Sequence, residues 1–328
     1  STGSGQQAEF KPVVLSTKGR TLSSAAHALS DPAGMEAFWP HTLVFLVSEE
    51  VARAGMLPVL EHILRVRDIR STMYLFVTKD CTVEEVFKAK PPLAAGVSQH
   101  LSSIVRLNDM TAIFVAQQVW QFSADLSAKG IAATLPVVEL VHESGDLVPV
   151  VRGAAVFHLD RLVGWLDAEQ TQIFGLLKGE EQRGFFVMDT RVKGETVPIT
   201  YEFVNNQVEI RPFVDGGRIT MKIKLDLWLG AVAAEKVNLL DQSVLASVQN
   251  QLNSAFTRRS RELLQLVLED YNTDIIGFGR LLMRRRPEVW RSHADDWDRH
   301  LRAITTDIEV NCRIVFTGLR AEPFLVRH

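Results

Sequence analysis

Gly153-Ala-Ala-Val-Phe-His-Leu-Asp-Arg-Leu-Val-Gly-Trp-Leu-Asp-Ala-Glu-Gln-Thr-Gln-Ile-Phe-Gly-Leu-Leu-Lys-Gly-Glu180 carries its own folding instructions. Ala155, Phe157 and Leu159 alternate with Val156 and His158, the period of a strand, and the polar pair Asp160-Arg161 reverses the chain into a return strand from Leu162 to Leu166. Asp167 then offers a carboxylate to backbone amides two or three residues on, and Gln170 stands at the spacing of a capping box. Ile173, Phe174 and Leu177 give the helix that follows its apolar stripe. Lys178 in its last turn and Gly179 just beyond stop it.

Upstream, helices and strands alternate. Phe10 to Ser16 reads as the end of a strand. Thr21 caps a helix carrying Leu22, Ala25, Ala26 and Leu29, and Asp31-Pro32 ends it. His41 to Val47 is almost wholly apolar, as expected of a strand covered on both faces, and Ser48 caps the next helix, with Glu49 and Glu50 at its positive end. Pro58 opens another helix, striped by Val59, Leu60, Ile63 and Leu64. Thr72 to Thr78 is a strand, and Thr82 with Glu85 forms a second capping box over Val83 to Lys90. Two helical patterns fill Leu93 to Lys129. Strands from Ala132 to His142 and from Pro149 to Leu159 join through Ser144-Gly145-Asp146.

Downstream, Phe185 to Met188, Val197 to Val204 and Gln207 to Phe213 read as short strands divided by Lys193-Gly194 and Asn205-Asn206. Arg218 to Leu229 alternates throughout. Ile219, Met221, Ile223, Leu225, Leu227 and Leu229 face inward, and Thr220, Lys222, Lys224, Asp226 and Trp228 outward, so one side of that sheet is buried. Leu240 to about Leu282 reads as long helix, and Thr306 to Phe316 as a last strand turning Ile308, Val310, Cys312, Ile314 and Phe316 inward. The fold class is mixed α/β (α+β). It is multi-domain, each domain a β-sheet with flanking helices, ending in an antiparallel sheet with long helices on one face. The expected division is a remnant of an expression tag at 1–8, an N-terminal domain at 9–92, a middle domain at 93–182 and a C-terminal domain at 183–328.

With 328 residues, 46% hydrophobic and 23% charged, the chain has the composition of an ordinary folded protein with more than one core. Its net charge of −3 argues against a general nucleic-acid binder, which needs a basic excess to displace counterions. Cys81 and Cys312 fall in different expected domains and are read as free thiols. No apolar run reaches the ~18 residues that cross a bilayer.

Catalytic signatures are missing from the sequence. Neither GxxxxGK[ST] nor GxGxxG is present, and Gly277-Phe278-Gly279 lies in a helical context that fits packing better than phosphate binding. HExxH is absent, and no serine or cysteine has a context that would activate it. Cofactors are therefore expected to be none. The best metal-ligating set is His293, Asp296 and His300, which share one face if their segment is helical, although Asp296 also suits a first helical turn. Arg280, Arg284, Arg285 and Arg286 form a basic cluster before Pro287, suited either to the last helical carbonyls or to anionic lipid or an acidic partner. Trp228, on the polar side of its strand, is expected to pack under another domain or to meet a partner.

Three segments carry a resemblance. Val47-Ser48-Glu49-Glu50-Val51-Ala52-Arg53-Ala54-Gly55 looks like a strand-to-helix junction, Asp160-Arg161-Leu162-Val163-Gly164 with its capped helix looks like a central hairpin, and Tyr271-Asn272-Thr273-Asp274-Ile275-Ile276-Gly277-Phe278-Gly279 running on to Pro287-Glu288-Val289-Trp290 looks like a long helix and its exit. In this order they resemble the C-subunit of spore germinant receptors, the Ger(x)C germination lipoproteins, over nearly all the chain after about Lys11. The resemblance implies three mixed α/β domains and a lipid anchor preceding the sequence given. It implies attachment to the outer face of the spore inner membrane and assembly with the receptor's two membrane-embedded subunits. The expected role is non-enzymatic, in nutrient-triggered germination. A small-molecule (nutrient) binding module and a metal-dependent hydrolase are the alternatives.

Overall fold

The computed structural model describes residues 12–34, 38–66, 68–107, 112–180, 183–233 and 237–316. The expected tag remnant lies outside them. Two mixed sheets organise the chain, of five strands in the order β1-β2-β3-β4-β5 and of four in the order β6-β7-β8-β9.

In the first sheet, β1 (Val44–Val47), β2 (Tyr74–Thr78) and β3 (Thr134–Glu143) run parallel, and β4 (Asp146–His158) and β5 (Arg161–Leu166) are added antiparallel. Helices cover both faces, which is why β1 and β2 are apolar without a break. On one face α3 (Glu49–Ala54), α4 (Leu57–Arg65) and α7 (Val119–Ser127) bury Ala52, Met56, Ile63 and Phe122 against Leu75, Val77, Leu135 and Phe157. On the other, α5 (Val83–Lys88) and α6 (Val97–Arg106) bury Val86 and Leu101 against Phe76 and Val138. Ser48 and Thr82 cap α3 and α5 as expected. The sheet draws strands from both sides of position 92.

The first helix, α1 (Leu22–Ala28), is capped by Thr21. Asp31-Pro32 does not end the helical run. Both residues sit inside a second short helix, α2 (Ser30–Ala33), because proline is tolerated in a first turn, and Gly34 at φ 64° stops it instead. Residues 12–16 pair with no strand, contrary to the expected strand end.

The second sheet holds three corrections. Asn205-Asn206 is not a turn. β7 runs unbroken from Glu195 to Asp215, Asn205 and Asn206 pair with Trp228 and Leu227 of β8 (Arg218–Ala233), and the extra residue of a bulge is Val204 just before them, where the register shifts between Phe203 and Asn205. The reversal lies at Gly216-Gly217. The last strand, β9 (Thr305–Phe316), joins β8 in parallel, so that only β6 (Phe185–Val192), β7 and β8 are mutually antiparallel.

Nor is Leu240–Leu282 one helix. The buried helix α9 (Gln242–Gln265) ends in a π-turn at Leu266–Asp270, Asn272 adopts φ 52°, and a new helix, α10 (Phe278–Arg285), starts behind Gly277 at φ 86°. Two short helices, α11 (Pro287–His293) and α12 (Trp297–His300), lead into β9.

The stretch that opened the sequence reading joins the two sheets. Its helix, α8 (Ala168–Lys178), follows the hairpin, is capped by Asp167 and Gln170, and ends at Gly179 at φ 75°. It is buried from Thr171 through Leu177, on more than the expected stripe, because one side packs on β4 and β5 and the other on α9 and β7. One core therefore runs from Ala154 and Val156 through Ile173, Phe174 and Leu177 into Phe256, Met221 and Leu225.

Candidate functional site

The three resembling segments meet end to end. Met56, one residue beyond the first, donates its N–H to Asp160 O at 2.9 Å in the hairpin turn. Leu57 N–H reaches the Asp160 carboxylate at 3.3 Å. On the return strand the Tyr271 ring lies flat over Gly164, where a Cβ would collide with it. The Tyr271 hydroxyl accepts from Trp165 N–H (3.3 Å) and donates to Trp165 O (3.0 Å), so that a side chain takes the place of the strand β5 lacks on that edge. Farther along, Gly279 packs on Gly130. A Cβ at Gly279 would stand 2.6 Å from Gly130 Cα, 2.8 Å from Trp290 and 2.9 Å from Trp297, and Arg280 N–H donates to Gly130 O at 2.8 Å.

Asp274 anchors this junction. It is 3% exposed, its Oδ1 accepts from Gly277 N–H (2.8 Å) and Phe278 N–H (2.9 Å), and its Oδ2 from Gly279 N–H (2.8 Å) and Trp297 Nε1–H (3.2 Å). Its carbonyl accepts from Ala132 N–H at 2.8 Å. The side chain thus supplies the N-terminal amides of α10 with an acceptor while the main chain binds the first lobe. Burial pushes the carboxyl from the ordinary 3.8 up to about 6, against the four donors, which favour the ionised form. Beside it lies a cavity of about 300 Å³ lined by residues 125–133, His158, Asp274 and 294–298. Asp125–Arg280 (3.2 Å), Lys129–Asp295 (3.6 Å) and His158–Asp298 (3.7 Å) pair across the same seam.

The candidate residues divide accordingly. Arg280 is engaged with Asp125, whereas Arg284, Arg285 and Arg286 are exposed in the last turn of α10 and just past it. His293 and His300 do come together, their rings edge to face with centroids 4.3 Å apart, and His300 Nε2 lies 3.2 Å from Asp296 Oδ1. His293 Nδ1, however, lies 2.8 Å from Val289 O, so this nitrogen carries its proton toward its own helix. Among the described residues no group of three His, Cys, Asp or Glu side chains has the geometry to hold a metal. Trp228 is half-buried on the open face of the second sheet, opposite Asn205 and Arg313, with the Arg313 guanidinium 5.8 Å from its ring centre. Cys81 and Cys312 are free thiols, and burial pushes Cys312 up to about 12, far from a reactive thiolate.

The sequence did not point to Tyr271 and Gly164 as partners, because their contact joins residues more than a hundred positions apart, nor to Asp274 as an anchor, since its carbonyl meets Ala132 across a similar gap. A signal was nevertheless present. Glycine inside a strand marks a close approach, and Gly164 stands alone in the middle of β5.

Family models match two successive parts of the chain. Residues 152–318 fit "Spore germination B3/ GerAC like, C-terminal", and residues 1–140 fit "Spore germination protein N-terminal domain". Spore germination protein KC of Bacillus subtilis (strain 168) is 22% identical over 329 aligned residues, covering 94% of this chain and 80% of that protein. Spore germination protein YndF of the same organism is 21% identical over 327, covering 96% and 77%. Among solved structures, that of the GerBC protein superposes with a TM-score of 0.67 at 20% identity, over 84% of this chain and 79% of the other, a shared fold.

Proposed function

The chain belongs to the C-subunit family of spore germinant receptors, and from that premise we propose that it works without catalysis, as a rigid extracytoplasmic adaptor that assembles with the receptor's two membrane-embedded subunits. In this reading a lipid-modified cysteine preceding the sequence given holds it at the outer face of the spore inner membrane. Its contribution to nutrient-triggered germination is to keep the receptor assembled.

The junction is the observation that carries the proposal. Gly164–Tyr271 and Gly130–Gly279 are close approaches of ring or main chain that fix two sheets in one orientation, while Gly55 and Met56 seat the α3–α4 junction on the Asp160 turn within the first. Two of the three segments that carry the resemblance, the hairpin and the run from Tyr271 to Trp290, are spent on holding this orientation. A protein selected to present surfaces at fixed relative positions needs such a frame. No helix among the described residues is long and apolar enough to cross a membrane, so attachment by an anchor rather than by a span is the consistent arrangement.

Gene deletion with complementation tests the reading. Spores lacking the gene should lose the response to at least one nutrient, followed as loss of absorbance, and an added copy should restore it. A tagged copy should bring down the two membrane-embedded subunits from detergent extracts of spore membranes. Deletion spores that answer every nutrient normally would refute the proposal.

A further inference from the structure

Going beyond the adaptor reading, we propose that a cavity of about 350 Å³ at the start of α8 binds a small zwitterion, one molecule of amino-acid size carrying both a carboxylate and an ammonium group. β2, β3 and β5 run in the same direction, and the cavity takes Lys79 from just past the end of β2 and Asp167 from just past the end of β5. Sheets covered by helices on both faces take ligands at the carboxyl ends of their parallel strands, where the connecting segments part and leave a crevice. Val137 and Leu166, each 2% exposed, give this crevice an apolar floor, and the half-buried Trp165 stands over it as a wall.

The polar groups of the lining each keep an atom unspent. Lys79 Nζ bonds Glu139 Oε1 at 3.0 Å, which leaves Glu139 Oε2. Asp167 Oδ1 accepts from Gln170 N–H (2.7 Å) and Gln170 Oε1 from Asp167 N–H (3.0 Å), which closes the capping box and leaves Asp167 Oδ2 and the Gln170 Nε2–H groups. Among the described residues, neither the Arg152 guanidinium nor the Trp165 indole N–H has a hydrogen-bond partner. Two cations and two carboxylates therefore share one lining. A ligand that is only an anion would face both carboxylates, and one that is only a cation would face Lys79 and Arg152, whereas a zwitterion offers each sign its opposite.

Each part of such a ligand has a counterpart. The planar fork of Arg152 matches a carboxylate through two parallel N–H···O bonds. The unspent oxygens of Asp167 and Glu139 accept from an ammonium, and the apolar remainder lies on Trp165 and the floor. That ring already has the Lys79 ammonium 5.9 Å from its centre. The position also bears on the joint between the lobes. Asp167 and Gln170 start α8, which packs between the two sheets, and the main chain of Trp165 is held by Tyr271 of the second lobe. A ligand that links Arg152 of β4 to the cap of α8 ties helix to sheet at that point and stabilises the folded chain.

Calorimetric titration of the purified chain tests the site, with each common α-amino acid singly and with its deaminated carboxylate and its decarboxylated amine as single-charge controls. At least one amino acid should bind saturably, raise the Tm and slow hydrogen exchange of the amides at 165–171. Its two controls should bind at least about tenfold more weakly, the effect of losing one charge-assisted contact. Arg152→Gln, at an exposed position, should weaken binding about tenfold while leaving the ligand-free Tm unchanged. Asp167→Asn removes the charge but keeps a good helix cap, and should weaken binding to a similar degree. Should Arg152→Gln lower the Tm, the Asp167→Asn result decides. No saturable binding by any amino acid, equal binding of a single-charge control, or binding that Asp167→Asn leaves unchanged overturns the site. The adaptor reading fails by a different result, normal germination of deletion spores, so the two are told apart.

Discussion

Asp274 is a carboxylate deep in protein that holds its proton more tightly when the chain is folded, with a value raised from 3.8 to about 6. Between those values the folded state binds more protons than the unfolded one, so stability falls as pH rises from about 4 to about 6 and is flat in this respect above it. Over that window the change attributable to Asp274 is about 3 kcal/mol. Urea midpoints measured from pH 4 to 8 for the protein and for Asp274→Asn should differ by that slope, with the variant less stable throughout because an amide nitrogen would face backbone donors. A slope of opposite sign would mean that the four donors outweigh burial. Two neighbours carry comparable forecasts. Tyr271→Phe removes the hydroxyl that serves Trp165 and should cost about 1 to 2 kcal/mol, read by chemical denaturation. Gly279→Ala forces apart two backbones only 2.6 Å from the added carbon and should cost about 3 kcal/mol or more, with a lower thermal midpoint as the readout.

Elements were legible in the sequence where local chemistry decides them. Ser48, Thr82 and Asp167 cap the helices their spacing announced, and the alternation of Ile219 to Leu229 is the buried face of β8. Reading failed where distant contacts overrule local preference. Asn205-Asn206 has turn chemistry, yet lies within a strand because β8 pairs with both residues. The run from Leu240 to Leu282 keeps a helical period across a break made by Asn272, Gly277 and the side chain of Asp274, none of which disturbs the pattern of apolar residues. That β6 forms an edge of its sheet was invisible for the same reason, since order within a sheet is not written in any one strand. Gln251, whose side-chain amide bonds the Arg191 main chain on that edge, gives a test at this scale. Gln251→Ala should leave α9 intact while freeing the Arg191 amide, whose hydrogen exchange should accelerate about tenfold, the equivalent of about 1.4 kcal/mol of local protection.

At the scale of the molecule, α8 and the seam around Asp274 make two sheets into one body, with a core continuous from β4 to α9. Heating should therefore give one cooperative transition by calorimetry, and Gly279→Ala, which loosens the seam, should broaden or split it. The arginines past α10 belong to this scale too. Reversing Arg284, Arg285 and Arg286 to glutamate should leave the Tm near its original value, as the three side chains are exposed, while weakening retention on vesicles containing anionic lipid if this face lies toward the membrane. Finally, β9 lies parallel to β8 although more than seventy residues separate their starts. Ribosomes release a chain amino end first, so the second lobe stays incomplete until β9 has emerged. A product cut short before Thr305 would expose the flank of β8 to quality-control proteases, and only copies that carry β9 would accumulate.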